Sequence, residues 1–381
     1  MVPAVLSSQT ARVARPPSAS PGQAAPIGTV KIAGRVLRPT TVFDTYWRFA
    51  AQRQALYYAR ARNDPQPWTR DPILSAHRFT NCYRAADRVS QFLIGHVAYP
   101  GRQEPTGRHA LVDTVFRTLL FKFFNRISTW QLLEDELGPI SWKTWHPSAA
   151  RSVLDRAAAQ GQRLYSAAYV IPPPGLGGPR KHHDHLLLLE TMIRDGLPAA
   201  LARATQMESS YHLLRAYRGL GDFLAFQFTI DLNYGVAINF DENDFVVAGP
   251  GARGGIRKCF GAAATGIEAD IIAYMVDTQE HHFERLGLNF PHLGGRRLHR
   301  IDMQNLFCET DKYARIAHPE FTELSGRHRI KQHYRADAAP MPKPFFPPKW
   351  AMDTTTLPGG RRTGNATSSF KARESVHVKE G

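Results

Sequence analysis

Tyr217-Arg-Gly-Leu-Gly-Asp-Phe-Leu-Ala-Phe-Gln-Phe-Thr-Ile-Asp231 decides how the rest of the chain is read. The stretch predicts the end of one helix, a tight turn on Gly219 and Gly221, and a second helix running through Asp231. Glycine tolerates φ > 0 and lets a backbone approach a partner closely. The helix N-terminus beyond such a turn presents open N–H donors and partial positive charge, which suits a phosphate. Arg215 and Arg218 stand just upstream, within reach of the same phosphate. An acidic segment, Asn239-Phe-Asp-Glu-Asn-Asp244, then puts Asp244 23 residues after Gly221. An ordinary helix–helix turn and a solvated acidic loop are the plainer readings of the two features.

Outward from the turn the pattern is helical. Phe43, Tyr46, Trp47 and Ala50 repeat at i, i+3, i+4, i+7, with Thr41 or Asp44 as cap, and Pro65 and Pro67 end that helix. Further helices are expected near 79–97, 110–126, 129–137, 147–159, 185–194, 198–204, 210–217, 269–286 and 301–314. The run Leu119-Leu-Phe-Lys-Phe-Phe124 is read as core, and Pro172-Pro-Pro-Gly-Leu-Gly-Gly-Pro179 as a break. Strand-like runs are few, and no internal repeat is present. The expectation is a mainly α protein.

The 381 residues carry 48 Lys+Arg against 33 Asp+Glu, a net charge of +15. Residues 1–40 hold +5 and residues 336–381 hold +3, leaving +7 on the body, so a basic face on the folded part is expected. That favours a polyanion, nucleic acid first. Cys82, Cys259 and Cys308 are far apart and offer neither a zinc ribbon nor an iron–sulfur cluster. Free thiols suit a reducing cytoplasm. No apolar run of membrane-spanning length occurs and no secretory signal is evident, so no membrane partner is expected. Residues 1–40, with Arg and Ser and no acids, are also compatible with a mitochondrial presequence. The expected location is cytoplasmic or nucleoid-associated, and nuclear in a eukaryote.

Three further stretches carry chemistry. Gly249-Pro-Gly-Ala-Arg-Gly-Gly-Ile-Arg-Lys258 is a plausible cradle for a phosphate or pyrophosphate, with Gly249 and Gly251 exposing N–H donors and Arg253, Arg257 and Lys258 supplying charge. A flexible basic loop is the alternative. Arg78, Arg84 and Arg88 lie in a segment dense in Arg, Asn and aromatics. Some share a helix face that could meet DNA, or could pair internally with Asp71 and Asp87. Asp302 and Asn305 fall on one face of the 301–314 helix and form, with Asp231, an additional candidate site. His182-His-Asp-His185 looks metal-like but is expected in a Pro/Gly loop, with no obvious fourth ligand. No metal and no cofactor are expected. No G-x-x-x-x-G-K-[ST] occurs in the chain.

The glycine turn with an Asp at this distance resembles the helix-hairpin-helix DNA glycosylases. There the hairpin grips the DNA backbone and the Asp acts on a flipped nucleotide. The lyase lysine of many such enzymes is replaced here by Phe223, so Schiff-base chemistry is not implied at that position. Pro67-Trp-Thr-Arg-Asp-Pro-Ile-Leu74, Arg78-Phe-Thr-Asn-Cys-Tyr-Arg-Ala-Ala-Asp-Arg88, Gly219–Asn233 and Asp244-Phe-Val-Val-Ala-Gly-Pro-Gly-Ala252 resemble the 5-hydroxymethyl-deoxyuridine DNA kinase helical domain family. That family looks related to the α-glutamyl/putrescinyl thymine pyrophosphorylases of phage base hypermodification. The resemblance spans about residues 41–335. It implies a glycosylase-like helical body, divided at about residue 200 into an N-terminal part (41–200) and a hairpin and catalytic part (201–335). A disordered basic tail (1–40) and a loose Pro/Gly-rich tail (336–381) are expected to flank it, although Phe345, Phe346 and Trp350 could dock on the body.

The implied function is action on a 5-hydroxymethyluracil-derived pyrimidine in DNA, by exchange of pyrophosphate for an amine or by glycosylase-like hydrolysis. Asp244 would be the general base or electrostatic stabiliser. Arg215, Arg218, Gly219, Gly221, Arg78, Arg84 and Arg88 would hold DNA. A separate P-loop hydroxymethyl-pyrimidine DNA kinase is the partner implied, and kinase activity is not expected of this chain. The alternative is a non-catalytic DNA-binding module serving a base-modification enzyme.

Overall fold

The computed structural model describes residues 27–167, 171–324, 329–335, 339–353 and 355–357. The expectations for residues 1–26 and 358–381 lie outside the described residues. The protein is mainly α, as its periodicity predicts. In chain order the helices are α1 (Thr41–Ala61), α2 (Pro72–Ala76), α3 (Arg88–Phe92), α4 (Ala110–Phe124), α5 (Ile127–Leu137), α6 (Pro147–Ala159) and α7 (Lys181–Arg194). They continue with α8 (Leu197–Arg203), α9 (Met207–Arg215), α10 (Asp222–Tyr234), α11 (Pro250–Phe260), α12 (Glu268–Arg285) and α13 (Arg300–Ala317).

Thr40, one residue earlier than expected, caps α1 by accepting from the Val42 amide at 3.2 Å. Its hydroxyl also donates to the Lys258 carbonyl at the end of α11. Residues 30–37, expected to be disordered, form an antiparallel hairpin of β1 (Val30–Ile32) and β2 (Arg35–Leu37), with Ile32 and Leu37 buried in the core. The helix expected over 79–97 is broken. Residues 77–83 are non-helical, Arg84–Ala86 make a single 3-10 turn, and a π-helical turn (Leu93–Ala98) follows α3.

Two helices form the centre. In α10 every residue from Leu224 to Tyr234 is buried, as befits a helix packed on all sides. α4 is nearly as enclosed, with Phe121 and Phe123 in the core beside Lys122. The glycine-rich segment, expected as a phosphate cradle or else a flexible basic loop, is helix α11 from Pro250 to Phe260. Its glycines make room for α13: a Cβ on Gly255 would lie 2.0 Å from the Phe307 carbonyl oxygen, and one on Gly251 2.4 Å from the Cys308 sulfur. Helix interiors disfavour glycine by about 1 kcal/mol relative to alanine. Here the close approach of two helices requires it.

Phe345, Phe346 and Trp350 dock on the body, as the sequence allows. Residues 339–353 pack on the body as a strap. The Phe345 amide donates to Gln91 Oε1 at 2.8 Å and its carbonyl accepts from Gln91 Nε2 at 3.1 Å, while Phe346 is buried.

Candidate functional site

The expected helical hairpin is present as α9, a turn over residues 216–221, and α10. Gly219 has φ +88°, the left-handed region that favours glycine. Gly221 has φ −72° and precedes α10 as its N-cap. The turn leans on the Pro/Gly loop: a Cβ on Gly219 would meet Pro174 at 3.1 Å, and the Arg218 guanidinium lies against Gly175. Arg215 and Arg218 are exposed, and Arg215 pairs with Asp222 at 2.6 Å. An exposed pair of this kind contributes little stability, so both side chains remain available to a ligand. The N-terminus of α11 abuts the same place, since a Cβ on Gly249 would strike the Phe223 ring at 2.5 Å. Two helix starts and the exposed Arg215, Arg218 and Arg253 therefore share one region. Arg257 is exposed one turn further along α11.

Two expected contacts do not reach a surface. Lys258 is fully buried, with its ammonium 3.1 Å from Asp311 and donating to the Asp311 carbonyl at 2.9 Å. Arg84 is 3 % exposed and shares no outer face with the exposed Arg78 and Arg88. The reason is charge balance: Arg84 Nη1 donates to Asp231 at 2.7 Å and to Tyr234 Oη at 3.0 Å, and Nε donates to Gln227 at 3.0 Å. Lys122 of α4 meets the other Asp231 oxygen at 2.5 Å. Burial pushes the Asp231 carboxyl up, but Arg84 and Lys122 outweigh it and hold it below the usual range. Burial pulls Lys122 down to about 8 against the attraction of Asp231. Lys122 was overlooked in the sequence; its signal was a lone charge inside an apolar run.

The Arg84 amide donates to Asp302 Oδ1 at 2.8 Å, joining this network to a second one. Asp302 Oδ2 accepts from the His299 amide at 3.1 Å. Asp302, Glu242 and His299 offer side-chain atoms that all lie within 4.8 Å of one another. Arg296 donates to Glu242 Oε2 at 2.7 Å, and Glu242 Oε1, though buried, has no hydrogen-bond partner among the described residues. Burial, and then the Glu242 charge, push the Asp302 carboxyl up to about 7. Asn305 is half-buried one turn further along α13. The strap closes this centre. Lys349 donates to the Gly235 and Ile238 carbonyls at 2.8 and 2.6 Å, and the Trp350 ring covers the Arg296 guanidinium at 3.9 Å. Burial lowers Lys349 to about 8, and Glu242 opposes the shift.

Asp244, two residues after Glu242, is exposed. With Phe245, Gln206, Met207 and Glu208 it lines an open cleft of about 420 Å³. The cleft lies at the start of α9, whereas the glycine turn follows its end. Nine helical residues, roughly 13 Å at the usual rise, separate the two. Arg300 ties the acidic segment to α13, donating from its backbone to Asn243 at 3.2 Å and from its side chain to the Asp244 carbonyl at 3.2 Å. The arrangement thus offers a buried carboxyl pair that can hold or release a proton near neutrality, with a guanidinium at its edge.

A 5-hmdU DNA kinase of Bacillus phage SP10 is 25% identical to the chain over 296 residues, which are 72% of this chain and 45% of that protein. The chain thus spans under half the length of that curated relative. No solved structure matches. Residues 40–323 match the family model described as 5-hmdU DNA kinase, helical domain. The chain belongs to that helical-domain family.

Proposed function

We propose that the protein modifies a 5-hydroxymethyluracil-derived pyrimidine in DNA. Family membership and the name of the phage relative support the substrate class. The observation that carries the catalytic reading is the Glu242–Asp302 pair, two buried carboxyls with one held near neutral pKa. Such a pair is suited to general acid–base work. The exposed arginines of the hairpin and α11 would neutralise the DNA backbone. The target nucleotide would leave the stack at a cost of a few kcal/mol.

In the transfer reaction an amine nitrogen bonds to the exocyclic carbon of the base. The carbon–oxygen bond breaks, pyrophosphate departs with its electron pair, and the proton shed by the amine passes to Glu242. Arg296 steadies the leaving charge. In the hydrolytic alternative, water attacks the sugar carbon and the N-glycosidic bond breaks, with the same carboxylate taking the proton. Asp244 stands at the open cleft and competes with Glu242 for the role of base. The phosphorylated substrate would come from a separate P-loop kinase.

Nucleoside mass spectrometry tests the proposal. 5-Hydroxymethyl-deoxyuridine DNA is incubated with the protein and an amine, with and without prior phosphorylation. A new or lost nucleoside that survives Asp244→Asn but not Glu242→Gln supports the pair as the base. Unchanged nucleosides under both conditions, from folded protein that still shifts DNA, would establish the binding-module alternative. The burial of the carboxyl pair beneath the strap favours that second reading.

A further inference from the structure

His182-His183 stand at the second and third positions of α7, and Asp155 projects from α6 toward them. Both are expected in the Pro/Gly loop, but that loop ends just before them and the first turn of α7 carries both imidazoles. His182 Nε2 lies 2.9 Å from Asp155 Oδ1, and His183 Nε2 lies 3.0 and 2.9 Å from the two carboxylate oxygens. The rings meet edge to face, at 69°, so their nitrogens converge without stacking. His185 is committed elsewhere, to Tyr165 Oη at 2.9 Å and the Pro172 carbonyl at 3.0 Å.

We propose that Asp155, His182 and His183 bind a divalent transition-metal ion of the zinc or cobalt class. Two imidazoles and one carboxylate are the donor set such ions prefer, whereas magnesium and calcium favour oxygen alone. Tetrahedral bonds of about 2.0–2.1 Å set ligand atoms about 3.3 Å apart, so the His–Asp155 spacings must open by only a few tenths of an ångström, and all three donors already lie within 4.8 Å of one another. The Asp155 side chain is 35% exposed and that of His183 18%, which leaves access for the ion and for a water as fourth ligand. Arg180 is the rival cation: its guanidinium is 3.3 Å from Asp155, but it is half exposed and free to swing outward.

The ion would fasten α6 to the first turn of α7. That turn also carries Asp184, which accepts from the Leu176 and Gly178 amides at 3.0 and 2.7 Å and so holds the loop on which Arg218 and Gly219 lean. Metal binding at one end of the loop would then stiffen the backing of the helical hairpin.

The test uses the full chain, stripped with a chelator and titrated with Co²⁺ and Zn²⁺. One ion should bind per chain, with visible cobalt bands of a four-coordinate nitrogen–oxygen site. Asp155→Asn and His183→Ala should weaken binding roughly tenfold or more, a loss of the size seen when metal sites are disturbed. His185→Gln, outside the cluster, should not. Arg180→Gln should bind more tightly, an outcome that misfolding cannot imitate. Absence of binding at severalfold excess metal in both the parent and Arg180→Gln would overturn the site. So would affinity indifferent to Asp155→Asn and His183→Ala.

Discussion

Asp231 shows how single charges hold this molecule together. It lies in the middle of a wholly buried helix, and both Arg84 and Lys122 face it. Removing one partner of a buried ion pair typically costs about 3–5 kcal/mol, because the remaining charge loses its compensation. Asp231→Ala should therefore lower the urea unfolding free energy by about that amount, whereas Asp244→Ala, on the surface, should leave it nearly unchanged. Asp302 gives a pH-dependent effect of definite sign. Its carboxyl titrates near 7 in the folded chain and near 4 when unfolded. The folded state thus holds the proton more tightly. The resulting stabilisation is fully present below about pH 4 and is lost as pH rises through 7. Asp302→Asn should flatten the unfolding free energy between pH 4 and 7 relative to the parent. A variant as steep as the parent across that window would rule out Asp302 as its source.

At the scale of elements, the close pair is α11 and α13. Gly255→Ala would place a methyl 2.0 Å from the Phe307 carbonyl, and backbone cannot step aside as a flexible side chain can. Overpacking of this kind typically costs about 1–3 kcal/mol. Thermal melting should show a clear loss for Gly255→Ala, while Arg253→Ala, exposed on the same helix, should melt like the parent. Arg253→Ala should instead weaken DNA binding and reduce the slope of log affinity against log salt by about one, if its guanidinium meets a phosphate. These two helices also mark where sequence reading stops. The period of Phe43, Tyr46, Trp47 and Ala50 was enough for α1, because a buried face repeats along one helix. The glycine density of α11 points instead to a cradle or a loop, because glycine ordinarily breaks helices. Its glycines answer to Phe307, Cys308 and Asp311, about 50 residues on, and a requirement set by a distant partner leaves no local pattern. The hairpin glycines were legible for the opposite reason, since Gly219 serves a turn within its own segment. Of the acidic segment, the sequence singles out Asp244, while Glu242 becomes a candidate only because Asp302, Arg296 and His299 surround it in the fold.

For the whole molecule the decisive contact is the strap across the carboxyl pair. Phe346 sits in the body, Lys349 satisfies two carbonyls beside α10, and the Trp350 ring covers Arg296 and stands edge-on to Tyr234. A flat aromatic over a guanidinium is also how a nucleobase could be held. A nucleotide reaching Glu242 and Asp302 would have to take the place of Trp350. Amide exchange separates a movable strap from a fixed one. Trp350→Ala should quicken exchange over residues 345–353 and cost about 1–3 kcal/mol of stability, while α10 keeps its protection. An oligonucleotide containing 5-hydroxymethyl-deoxyuridine should quicken exchange over the same residues in the parent chain, since binding the centre means lifting the cover. If DNA binding instead slows exchange there, the strap is a permanent wall of the site. Chemistry at the carboxyl pair would then be ruled out, and the open cleft lined by Asp244 and Phe245 would stand as the rival site.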